Sequence, residues 1–170
     1  MPDLRAFFQA VPVMEFSGAV YRLCPARHGG SMVSMRGSFQ HGARYNIRGY
    51  FGALYTSLSR ETARRELARY FTAMPAGGFV EASIRLRLSR VVDLTNRKLL
   101  RKAGIEWEQL IDANYAVTQE IGLRAWESGI EALLTPSAAD PGARNLAIFL
   151  DNQRAPWRVE LVRIAPGQLV

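Results

Sequence analysis

Between Phe79 and Leu88 the chain alternates, with Val80, Ala82, Ile84, Leu86 and Leu88 falling on one face. A period of two held over this length is a half-buried strand, dry on one face and wet on the other. It commits the chain to a sheet that covers a core. Residues 18–23, 53–57, 91–94, 130–134, 145–150 and 157–164 read as further short strands. Helical spacing accompanies them. Leu4, Phe7, Phe8 and Val11 fall at i, i+3, i+4 and i+7, which predicts an amphipathic N-terminal helix. Ser59 is placed to N-cap a helix over 60–71, and residues 96–103, 107–113 and 115–127 read as three more. Glycine and proline mark loops at 25–31 and 135–144, and residues 39–52 lack a clear period.

Strands and helices do not alternate as regular βαβ units, and no strand leads into GxGxxG or GxxxxGK[ST]. The expectation is an α+β fold: one compact domain over 1–170, with short, largely antiparallel strands and peripheral helices. The longest apolar run falls short of the ~20 residues needed to span a bilayer. Residues 1–16 are interrupted by Gln9 and Pro12 and are followed by no A-x-A site, so the reading is a soluble cytoplasmic protein. One cysteine, Cys24, forms no internal disulfide and reads as a small buried apolar residue. Two histidines, His28 and His41, lack metal-ligand spacing, and no metal is expected. Trp107, Trp126 and Trp157 read as core or hinge aromatics.

The net charge of +7 points to an anionic partner. Its distribution narrows that partner, because residues 1–75 carry a net +6 and no acid lies between Glu15 and Glu61. That acid-free run holds Arg22, Arg27, Arg36, Arg44, Arg48 and Arg60. Coding composition accounts for a bias toward arginine. So does phosphate recognition, since the guanidinium fork matches a phosphate in bidentate fashion.

On the 60–71 helix Ala63, Glu66, Leu67 and Tyr70 form one stripe, so Glu66 is the carboxylate directed inward. Two readings stand for it: a surface pair with Arg69, or a carboxylate in an arginine-lined cleft that stabilises a cationic transition state or holds a sugar hydroxyl. Glu61 pairs at i+4 with Arg65. Residues 42–46 set Arg44 and Asn46 near glycine, Arg22 projects from an apolar strand, and Tyr55 and Ser57 share a face just before the helix. Ser137 follows a buried-type strand, and Asn145 opens the next.

These fragments stand in order along most of the chain: Tyr21-Arg22, Gly42-Ala43-Arg44-Tyr45-Asn46, Ala53-Leu54-Tyr55-Thr56-Ser57, Glu61-Thr62-Ala63 with Glu66, Thr135-Pro136-Ser137, and Arg144-Asn145-Leu146-Ala147. Each is weak alone, but the ordered set resembles the RES domain family, the toxins of RES–Xre toxin–antitoxin pairs. The resemblance implies a fold like that of ADP-ribosyltransferase toxins, built around an NAD cleft. It implies NAD as a substrate and not as a recycled cofactor, and cleavage of the nicotinamide–ribose bond by hydrolysis or phosphorolysis. Transfer of ADP-ribose to a protein acceptor is the alternative on the same fold. An Xre-type antitoxin partner is implied as well. The catalytic positions carried over are Arg44, Glu66 and Ser137, with Arg22, Tyr55 and Asn145 as substrate-binding positions. From another class, pI ≈ 10.2 suits a nucleic-acid binder, although no RNA-recognition motif is visible and direct nucleic-acid binding is not expected.

Overall fold

The computed structural model describes residues 3–155 and 158–168. Trp157 and the start of the strand expected at 157–164 fall partly outside these described residues. Six strands form one sheet: β1 (Met14–Pro25), β2 (Leu54–Ser57), β3 (Phe79–Asp93), β4 (Ala132–Pro136), β5 (Arg144–Ile148) and β6 (Arg158–Gly167). Among the described residues six α-helices accompany them: α1 (Leu4–Ala10), α2 (Arg36–His41), α3 (Arg60–Ala68), α4 (Arg97–Lys102), α5 (Trp107–Ile111) and α6 (Ala116–Glu127). The strand order is β1-β2-β5-β4-β3-β6, and β1 also pairs with β3, which closes a five-strand barrel with β6 added beside β3. All pairings are antiparallel except β3–β4.

The period-two pattern explains the closure. Val20, Leu54, Ile84, Leu86, Leu88, Val91, Leu134, Leu146 and Ile148 come from all five barrel strands and bury one another in a single core. The opposite faces of β2, β4 and β5 present Tyr55, Leu133 and Ala147 to a second core, made with α1, α4, α5, α6, Tyr45 and Phe51. Each of these three strands is therefore dry on both faces over part of its length.

Two expectations need correction. The strands are not uniformly short: β1 has 12 residues and β3 has 15, and the strands expected at 79–88 and 91–94 are one. The reason is a bulge. Met14 pairs with Val91 and Phe16 with Leu88, so two residues of β1 advance while β3 advances three. The inward phase slips from Leu88 to Val91, and in sequence that slip imitates a strand end. The region expected to be irregular also begins inside α2, which is too short to show a period.

Other expectations hold. Ser59 caps α3, accepting from the Thr62 amide at 3.1 Å, although the helix ends at Ala68 and leaves Tyr70 beyond it. Cys24 is buried against Met32. Trp126 stacks on Phe51 with centroids 5.0 Å apart, and Trp107 lies beneath Arg97. No helix among the described residues is long and apolar enough to cross a membrane.

Candidate active site

Sheet register builds the floor of a cavity. Tyr21 pairs with Ser57, Ser57 with Asn145, and Asn145 with Thr135. One row therefore crosses β1, β2, β5 and β4, and all four residues line a cavity of about 420 Å³. The volume falls within the ~300–1,000 Å³ of small-molecule sites. Helix α3 forms one wall with Ala63, Glu66 and Leu67, and residues 42–45 form another.

Glu66 reaches from α3 to this floor. Its Oε1 accepts from Ser137 Oγ at 2.6 Å and from Asn145 Nδ2 at 2.7 Å. Asn145 Oδ1 accepts in turn from Ser57 Oγ at 2.7 Å, which orients the amide so that its nitrogen faces Glu66. Glu66 Oε2 has Arg69 Nη1 at 3.5 Å. Both sequence readings of Glu66 therefore meet in one side chain, and the pocket contacts are the shorter. Ser137 stands behind Glu66 and is not part of the cavity wall; it is buried, at 5% exposure.

The 42–46 segment is held from three sides. Gly42 has φ +71°, a conformation that a side chain disfavours. Ala43 and Asn46 pair across a tight turn. Gln119 Nε2 on α6 donates to the Ala43 carbonyl at 3.1 Å. Gly122, one turn on, lies so close that an added Cβ would sit 1.9 Å from the Tyr45 carbonyl oxygen. Asn46 Nδ2 donates to the carbonyls of Ser38 and Phe51.

This frame sets Arg44. Its Nη1 donates to the carbonyls of Leu110 at 3.1 Å and Asp112 at 2.6 Å, and its guanidinium lies 4.6 Å from the centre of the Tyr115 ring. Its Nη2 is buried and has no hydrogen-bond partner among the described residues. Arg22 also lines the cavity, with Nη1 donating to the carbonyls of Met32 and Ser34 at 3.1 and 3.3 Å. Burial lowers its guanidinium pKa from the ordinary value.

Tyr55 presents its ring to the cavity but spends its hydroxyl on the frame, accepting from the Tyr45 amide at 2.8 Å and donating to Asn46 Oδ1 at 3.0 Å. Burial pushes the Tyr55 and Tyr45 phenols up, so both remain neutral.

The six residues expected at the site thus converge: five line the cavity, and the sixth, Ser137, supports Glu66 from behind. Sequence reasoning missed four contributors: Gln119, Gly122, Tyr115 and Asp140. Asp140 accepts from Arg65 Nη1 at 2.6 Å and Thr62 Oγ1 at 2.7 Å, so the Ser137 loop is latched to the Glu66 helix. An Asp four residues into a Pro/Gly loop carries no signal of that latch. Much of the remaining basic charge is paired. Arg60 and Arg64 meet the buried Glu81, and Arg65 also meets Glu61 at 2.5 Å.

Known proteins resemble this chain in sequence and in fold. Residues 19–167 match the family described as the RES domain. A probable NAD(+) phosphorylase of Mycobacterium tuberculosis is 29% identical over 145 residues, spanning 82% of this chain and 68% of that protein. A chain in the crystal structure of the M. tuberculosis MbcT-MbcA toxin–antitoxin complex superposes with a TM-score of 0.80 at 21% identity, covering 96% of this chain and 91% of that one.

Proposed function

The chain belongs to the RES domain family, and we propose that it is an NAD-degrading toxin that breaks the nicotinamide–ribose bond, with phosphate or water as acceptor, and is held in check by an antitoxin. The observation that carries this reading is Glu66: one carboxylate, gripped by Ser137 and Asn145, in a cavity that also contains Arg22 and Arg44. The phosphorylase name of the Mycobacterium relative and the toxin–antitoxin title of the structural neighbour support the reaction and the partner. The closed barrel with a helix-walled cleft supports kinship with ADP-ribosyltransferase toxins, with 1–170 as one RES-like domain acting in the cytoplasm.

The bond to be broken is glycosidic, and its cleavage passes through an oxocarbenium-like state. Nicotinamide departs as a neutral base, taking the bonding electron pair, so no strong general acid is needed and a single carboxylate suffices. With Oε1 occupied by two donors, Oε2 is the oxygen left for the ribose hydroxyls and the developing positive charge. Arg22 and Arg44 clamp the pyrophosphate; Arg44 Nη2, buried without a partner, is a donor that such an oxygen satisfies. The Tyr55 ring packs on the nicotinamide ribose, and Ser137 and Asn145 hold Glu66 in register.

Purified protein should release nicotinamide from NAD, giving ADP-ribose-1″-phosphate with phosphate and ADP-ribose without it. Glu66→Ala and Arg44→Ala should stay folded and lose that activity. Undiminished turnover by folded Glu66→Ala would overturn the assignment.

A further inference from the structure

Of the arginines in the cavity, Arg22 and Arg44 each commit Nη1 to two backbone carbonyls. Arg69 differs. It lines the same cavity at its α3 side, its side chain is 37% exposed, and its guanidinium makes no hydrogen bond among the described residues except the 3.5 Å approach to Glu66 Oε2. It is therefore a cation with donors to spare, beside the carboxylate oxygen that faces the reacting sugar.

We propose that Arg69 binds the inorganic phosphate that accepts the ADP-ribosyl group and so decides between phosphate and water as acceptor. The inference rests on the NAD-cleaving reading and deepens it. Attack on the ribose carbon requires a phosphate anion to come within bonding reach of a sugar already held by Glu66. Two like charges at that spacing repel unless a cation lies between or beside them. Neutral water needs no such help. The guanidinium fork of Arg69 supplies two parallel donors to phosphate, and in binding it trades a long contact with Glu66 for shorter charge-assisted bonds. One phosphate oxygen forms the new bond to the ribose carbon as the carbon–nitrogen bond breaks. The electron pair of that bond goes to the nicotinamide ring nitrogen, which leaves neutral, and no proton moves in the step. Arg22 and Arg44 are already assigned to the two phosphates of the dinucleotide, which leaves Arg69 for the third.

The test is steady-state turnover of NAD across a range of inorganic phosphate concentrations, with both sugar products quantified. Arg69→Ala should raise the KM for phosphate by at least about tenfold and shift the products toward ADP-ribose. Its Kd for NAD, measured without phosphate, should move less than about twofold. Arg69→Lys, which keeps the charge and loses the fork, should fall between the two. A phosphate KM unchanged in folded Arg69→Ala, or a rise in the NAD Kd in place of it, overturns the role of Arg69 and leaves NAD cleavage standing. Nicotinamide release by the wild-type protein that ignores phosphate does the same. Absence of any nicotinamide release by the wild-type protein overturns both readings.

Discussion

Ser137 Oγ donates to Glu66 Oε1 at 2.6 Å, and the direction of that bond is forced. The same oxygen already accepts from the amides of Ala139 at 3.2 Å and Asp140 at 3.0 Å, so its one proton has only Glu66 to go to. Ser137→Ala removes this donor and strands two loop amides. The expected result is a kcat for nicotinamide release lowered ~10–100-fold, with a stability loss of only about 1–2 kcal/mol in urea unfolding. A kcat equal to wild type would show that Glu66 needs no second donor.

Asn145 separates hydrogen bonding from charge. Asn145→Ala takes one donor from Glu66 and leaves Ser57 Oγ without its acceptor. Asn145→Asp keeps the Ser57 bond and the shape but sets a second carboxylate where an amide nitrogen stood 2.7 Å from Glu66 Oε1. Two carboxylates at that distance repel, and a proton taken up between them relieves the repulsion. Asn145→Asp should therefore be the less active variant near pH 7, and it should recover part of the gap in kcat/KM as the pH falls toward 5. The reverse order of activities would mean that Asn145 acts on the substrate and not on Glu66.

What the sequence made legible follows from which signals are local. Glu66 was readable because Ala63 and Leu67 define its helix face, and Ser59 was readable as a cap because capping acts within three residues. Arg44 was placed at the site, but its support was hidden: Gln119 and Gly122 lie more than seventy residues away and announce nothing by their own spacing. The barrel closure was equally hidden, since it depends on the pairing of β1 with both β2 and β3. The break after Leu88 was misread because a bulge and a strand end produce the same local pattern.

Gly122 tests the packing that holds Arg44. Alanine is the better helix former by about 1 kcal/mol in an exposed helix, which taken alone would stabilise α6. Here its Cβ would lie 1.9 Å from the Tyr45 carbonyl oxygen, so the helix or the 42–46 turn must move. The steric term wins, and Gly122→Ala should cost at least ~2–3 kcal/mol by the mechanism of overpacking. The melting temperature should fall, and the surviving folded protein should bind NAD more weakly, because Arg44 moves with the turn. A variant as stable as wild type would show that α6 and the turn separate easily.

Glu131 accounts for the bulge that the sequence disguised, and it gives the fold a pH dependence of known sign. It is fully buried, at 0% exposure. Its Oε2 accepts from the Ser89 amide at 2.6 Å, the Ser89 hydroxyl at 2.9 Å and the Arg90 amide at 2.7 Å, and its Oε1 accepts from the Arg154 amide at 2.7 Å. The Ser89 and Arg90 amides are the donors that the bulge in β3 leaves without a partner strand, and the Arg154 amide adds one from the segment before β6. Burial pushes this carboxyl up, but the hydrogen bonds from Arg154, Arg90 and Ser89 outweigh it and hold its pKa below the ordinary value of 4.5. A carboxyl whose folded pKa lies below its unfolded one stabilises the fold fully above the unfolded value. That contribution is lost as the pH falls through the folded pKa. Stability measured by urea unfolding should therefore decline below about pH 4.5. Glu131→Gln cannot serve all four donors, because its amide nitrogen must face at least one of them. It should lose about 2–4 kcal/mol at pH 7. Its deficit relative to wild type should narrow as the pH drops and the wild-type carboxylate becomes protonated. A deficit that stayed constant from pH 7 to pH 3 would place the cost in packing and not in the charge that Glu131 brings to the bulge.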